Sequence, residues 1–193
     1  MLTVEQRLRT DPRISLLLNN AGVAAEGLLA SADQDQLERM IQLNVVAVTR
    51  LASAAAASFS AAGHGAIINL ASAVALIPER FNATYSASKA YVLSLSQSLN
   101  AELGGSGVRV QSVLPGVTRT EIWECCAIDP SALPAERVMD AGERVDAALS
   151  GFDQGELISI PSLPDAADWD GFVTARHALA PNLSKYVAAA RYK

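Results

Sequence analysis

The sequence predicts an α/β protein built on a parallel sheet with helices on its faces. Two observations carry that prediction. Short apolar runs at residues 14–18, 66–71 and 108–114 recur along the chain, each separated from the next by a helix-length segment and not by a tight turn. Connections of that length join parallel strands, because antiparallel neighbours need only a hairpin. The second observation is composition. The 193 residues are half hydrophobic and 18% charged, with a mean hydropathy of +0.21, which suits a single domain over residues 1–193 with a sizeable core.

Residues 14–18 (ISLLL) form the first strand, ended by the turn-forming Asn19-Asn20-Ala21-Gly22. Residues 33–62 form a long helix, with Leu37, Ile41, Val48, Leu51 and Ala55 at three- and four-residue spacing and with Gly63 and Gly65 closing it. Residues 66–71 (AIINLA) are a second, buried strand. A helix over 83–103 stops at Gly104-Gly105, and residues 108–114 form a third strand that ends in a Pro115-Gly116 turn. A helix over 134–149, a last strand over 156–160 and a short helix over 166–180 complete the chain. No repeat and no linker divides it.

Composition excludes several function classes. A net charge of −5, a pI of about 5.0 and no basic stripe argue against a nucleic-acid partner. Cys125 and Cys126 are neighbours, so they offer neither a disulfide framework nor metal-ligand spacing. The first thirteen residues carry charges and no apolar core of a signal peptide. The Ala- and Ser-rich stretch 51–62 is too short to span a bilayer. A cytoplasmic protein with no membrane partner is the expectation.

The candidate chemistry lies at the strand ends. Ligands of open parallel sheets bind at the carboxyl ends of the strands, and there the sequence places Asn20 and Gly22, then Ser72, then Pro115 and Gly116. Tyr85 and Lys89 stand four apart on one helix and point the same way. An ammonium held near a phenol favours the phenolate and lowers its pKa from about 10. The pair is thus suited to passing a proton in carbonyl reduction or alcohol oxidation. Asn44 sits on the apolar stripe of the first long helix, between Ile41 and Val48, where a carboxamide faces the sheet and must find partners. It is either a structural side chain bonding to backbone or part of a polar site at the helix–sheet junction.

Asn19-Asn20-Ala21-Gly22, Asn44, Ser72, Tyr85-x-x-x-Lys89 and Pro115-Gly116 with Thr120 resemble the short-chain dehydrogenase/reductase family. Order and spacing agree, with 24 residues from Asn20 to Asn44 and 13 from Ser72 to Tyr85. The resemblance covers roughly residues 3–160 and implies a Rossmann-like sheet and an NAD- or NADP-dependent oxidoreductase acting on a small carbonyl or alcohol. It implies that Tyr85 exchanges a proton with the substrate oxygen, and that Lys89 lowers the Tyr85 pKa and holds the nicotinamide ribose. Ser72 would hydrogen-bond the substrate oxygen, and Asn44 would link Lys89 to a proton relay through a water. Asn20, Ala21 and Gly22 would pass the adenosine ribose. Pro115, Gly116, Thr118 and Thr120 would contact carboxamide and phosphates.

One family feature is not in these residues. No segment has the form Gly-x-x-x-Gly-x-Gly after a strand and before a helix, the turn that cradles pyrophosphate. The resemblance aligns residues 3–10 with the helix that leads into the family's fourth strand. The expectation is therefore a family fold missing its first three strands, from a truncated gene model or a shortened chain, with little or no nucleotide binding. The alternative reading is an inactive homologue acting as a non-catalytic binding or structural subunit. The resemblance also implies specificity within residues 117–134, which are largely apolar and include Ile122, Trp123 and Ile128, and pairing of long helices into a homodimer or homotetramer. Ala87, Ala90, Ser94 and Ser98 are small enough for that contact. His64 and His177 have no partner pattern and are expected to face solvent, and Cys125 and Cys126 are given no role.

Overall fold

Among the described residues, four parallel strands, β1 (Leu16–Asn19), β2 (Gly65–Leu70), β3 (Val108–Val113) and β4 (Ile158–Ser159), form one sheet in the order β1-β2-β3-β4. The structure, a computed structural model, describes residues 2–25, 27–120 and 134–193. It divides into two compact units, Met1–Pro161 and Ser162–Lys193.

In the first unit, α1 (Leu2–Thr10) precedes β1 and packs on α3 (Val48–Ala62). The helix expected over 33–62 is present as α2 (Gln34–Ile41), a π-helical stretch Gln42–Ala47 and α3. Asp33 caps it, its carboxylate accepting from the backbone of Asp35 at 2.8 Å and Gln36 at 3.4 Å. Gly63 ends it at φ +73°, a left-handed turn that a residue with a Cβ adopts only at a cost. By length and composition the run Gln34–Ala62 is long and apolar enough to cross a membrane. In the fold its buried Ala52, Ala54, Ala55 and Phe59 pack with Leu8, Leu17, Ile67, Leu99 and Val110 as one core.

That core joins α3 and α4 (Ala83–Glu102) to a single sheet face. Side chains alternate along a strand, so Gln111 points to the other face, where its Nε2 donates to Ala148 O of α5 (Ala141–Asp153) at 2.8 Å. Helices thus cover both faces, as the sequence predicts. Pairing of β1 with β2 and β2 with β3 brings Asn19, Asn69 and Ser112 into one row. Two late elements differ from expectation. The helix placed over 134–149 is a 3₁₀ turn, Ala135–Arg137, followed by α5. Met139 is taken by a parallel bridge to Thr118, so the helix starts only after Asp140 caps it. The strand placed over 156–160 pairs only at β4.

The second unit holds α6 (Ala166–His177), capped by Asp165, and two 3₁₀ turns, Ala180–Asn182 and Ala190–Tyr192. Trp169 and Phe172 stack within α6 at 5.3 Å. His64 and His177 are exposed. Ile122, Trp123, Cys125, Cys126 and Ile128 fall outside the described residues.

Candidate active site

Asn82 starts α4 by accepting from Tyr85 N at 3.1 Å, and its amide reaches Gly27 O at 2.6 Å. The cap puts Tyr85 in the first turn and Lys89 one turn later on the same side. Lys89 is only 5% exposed; its Nζ donates to Leu70 O at 2.9 Å and lies 5.7 Å from the centre of the Tyr85 ring. Burial disfavours the ammonium and pushes Lys89 down to about 8. Tyr85 is half-buried against Ala25, Leu37 and Met40 and meets Phe81 edge-on at 5.3 Å.

Asn44 is fully buried within the π-helical stretch, a kind of local opening frequent at functional sites. Its carboxamide clasps Val23, accepting from the backbone N at 3.0 Å and donating to the O at 2.8 Å. The same Nδ2 donates to Ser88 Oγ at 3.2 Å, and Ser88 Oγ donates to Tyr85 O at 2.7 Å. Asn44 thus bonds to backbone, as one of the two readings of the sequence has it, and to the Ser88 hydroxyl as well. Gly22 lies between these groups: a Cβ there would stand 3.3 Å from Asn44 Oδ1 and 3.4 Å from Lys89 Nζ. The loop passes Lys89 this closely because residue 22 has no side chain.

The other strand ends are tied to this corner. Hydrogen bonds from Ala71 N to Val113 O and from Ala73 N to Pro115 O, both 2.9 Å, carry the β2–β3 ladder past the strands. Ser72 therefore sits beside Pro115, with Oγ–Pro115 O at 3.5 Å, and caps the 3₁₀ turn Ala73–Ala75, which packs on α4. Thr118 is buried, its Oγ1 bonded to Gly116 O at 3.2 Å, whereas Gly116 is exposed and Thr120 half-buried. Asn20 and Ala21 are exposed at the rim.

Sequence reasoning missed two residues. Asn19, not Asn20, is the buried member of its pair, donating to Asn69 Oδ1 at 2.9 Å; Asn69 donates to Ser96 Oγ at 3.0 Å. Strand alternation decides which of two adjacent Asn residues turns inward, and one residue of register reverses the answer. Ser88 was the other. Its signal was a hydroxyl three residues after Tyr85, where serine commonly bonds back to its own helix.

Residues 2–128 match the family described as short chain dehydrogenase, about two thirds of the chain. The chain belongs to the short-chain dehydrogenase family. Among family members, a 3alpha-hydroxysteroid dehydrogenase of Mediterraneibacter gnavus is 30% identical over 158 residues, 76% of this chain and 63% of that protein. The chain therefore spans under two thirds of that curated relative. A short-chain dehydrogenase from Sphingobium yanoikuyae, solved in complex with NADPH, is 49% identical, with a TM-score of 0.94 over 99% of this chain and 74% of its own. The bulky-bulky ketone specific alcohol dehydrogenase from Comamonas testosteroni is 44% identical, with a TM-score of 0.89 over 99% of this chain and 72% of its own. The short-chain dehydrogenase sheet, its helices and the corner around Lys89 are thus set in the family's parallel α/β architecture.

Proposed function

We propose that the protein is an NADP- or NAD-dependent oxidoreductase that interconverts a ketone and a secondary alcohol. The observation that carries this reading is the buried Lys89 ammonium, held between the Tyr85 ring and the side-chain-free wall at Gly22. An ammonium has three donors, and Leu70 O takes one, so Lys89 can hold sugar hydroxyls as well. Gly22, Asn20 and Ala21 line one side for the nucleotide, and Pro115, Gly116, Thr118 and Thr120 the other. NADPH is the first nucleotide to test, because the Sphingobium relative binds it.

The nicotinamide supplies the hydride exchange, and the chain supplies position and protons. Tyr85 Oη gives a proton to the substrate oxygen during reduction and takes it back during oxidation. Ser72 Oγ hydrogen-bonds the same oxygen and stabilises charge developing on it. Lys89 favours the phenolate form of Tyr85 through its charge. Asn44 holds the loop at Val23 and, through a bridging water, passes protons onward from Lys89.

For the substrate, a ketone carrying two bulky apolar groups is the class favoured, supported by the Comamonas relative's specificity. The apolar run from Ala73 to Ile77 that follows Ser72 suits it. Pairing through the small-residue face of α4, where Ala87, Ser94 and Ser98 are exposed, supports a homodimer or homotetramer.

NADPH oxidation with a panel of bulky ketones tests the reading. Wild-type turnover should fall by about a hundredfold or more in Tyr85→Phe. Absence of turnover with every ketone would favour the non-catalytic subunit instead.

A further inference from the structure

Ser88 stands between Tyr85 and Lys89 in sequence, is 3% exposed, and no step above uses it. A serine within a helix ordinarily bonds a carbonyl one turn back, and Ser88 does so at Tyr85 O. It makes a second contact that this local habit does not require. Its oxygen accepts from Asn44 Nδ2, and Asn44 grips both backbone polar groups of Val23. An unbroken hydrogen-bonded path therefore runs from the Tyr85 carbonyl to the loop beside Gly22. Ser96 offers a comparison on the same helix. It bonds Val92 O at 2.8 Å and accepts from Asn69, but its path leads into the sheet row and not to the Gly22 loop.

We propose that Ser88 is a positioning residue: its hydroxyl, acting through Asn44 and Val23, sets where the Tyr85 ring stands beside Lys89. The proposal rests on the oxidoreductase reading above. Without the hydroxyl, Asn44 keeps Val23 but loses its tie to α4, so the loop is then held to the first turn of the helix by the Asn82–Gly27 bond and the packing of Tyr85. Lys89 stays anchored to Leu70 O on the sheet side, and the first turn of α4, with Tyr85, moves away from it.

Ser88→Ala, Ser88→Thr and Ser96→Ala are compared with wild type, each with and without Tyr85→Phe. The first measurement needs no turnover: tyrosinate absorbance is followed with pH, and the Tyr85→Phe difference isolates the Tyr85 midpoint. Ser88→Ala should move that midpoint upward by about half a unit or more, toward the ordinary value of about 10. Ser88→Thr, which keeps the hydroxyl, and Ser96→Ala should both titrate as wild type. In ketone reduction, Ser88→Ala should lower kcat about tenfold at nearly constant KM, with recovery in Ser88→Thr. A wild-type midpoint and wild-type kcat in Ser88→Ala, or equal changes in Ser96→Ala, overturn the proposal. If wild type reduces no ketone, the oxidoreductase reading fails and the titration alone decides the role of Ser88.

Discussion

Lys89 is placed where a cation is costly, and that cost has a pH signature. Burial lowers its folded value to about 8 from an ordinary 10.5. Between those limits the unfolded chain binds more protons than the folded one, so stability rises with pH across the window from about 8 to about 10.5. Below about 8 the full penalty remains, roughly 3 kcal/mol from a difference of that size. Lys89→Met removes the charge at similar volume. It should be more stable than wild type at pH 7, with the gap closing as pH approaches 10.5. Urea unfolding of both proteins at several pH values measures this; a gap independent of pH would refute it. The sequence shows that Tyr85 and Lys89 share a helix face. The depth of that face, which makes the lysine unusual, is set by packing against Leu70 and Gly22, residues distant in the chain.

The row Asn19–Asn69–Ser112 poses a similar question across three strands. Asn69 satisfies Asn19 on one side and Ser96 on the other, while the neighbouring Ser112 Oγ is buried without a partner among the described residues. Asn69→Ala should cost on the order of 2 kcal/mol, because it leaves the buried Asn19 amide unpaired and takes a donor from Ser96 Oγ, which keeps its bond to Val92 O. Ser112→Ala should be neutral or stabilising, because it removes a hydroxyl that bonds nothing. Thermal unfolding separates the two, and a large loss in Ser112→Ala would show that its hydroxyl is paired. At the helix ends, Asn82→Ala removes a cap and the bond to Gly27, and a loss of about 1 kcal/mol or more follows. Periodicity located the long helices and three strands to within a residue or two, because each buries one stripe or one face. It could not reveal the π-helical stretch at Asn44, whose side chain bonds Val23 across the loop. Nor could it shorten β4, where β3 pairs only through Ser112 and Val113.

At the scale of the whole sheet, β1 differs from its neighbours. One face of β1 is covered through Leu17 and Asn19, whereas Leu16 and Leu18 on the other face are 52% and 54% exposed. Among the described residues β1 has a single strand neighbour, β2. A strand edge with free backbone groups and adjacent leucines is a template for pairing with another chain. The 193-residue chain should therefore self-associate at micromolar concentrations, where such edges find one another. Replacing both leucines with lysine places charge along the edge and on its open face, a device by which sheets resist such pairing. The Leu16→Lys/Leu18→Lys double variant should sediment as a smaller species at the same concentration, with an unchanged circular dichroism spectrum. Leu17 and the β1–β2 hydrogen bonds, which hold the strand in place, are untouched by these changes, so loss of fold is not the expected cause. An identical sedimentation profile for the two proteins would place association elsewhere, and the small-residue face of α4 would be the surface to alter next.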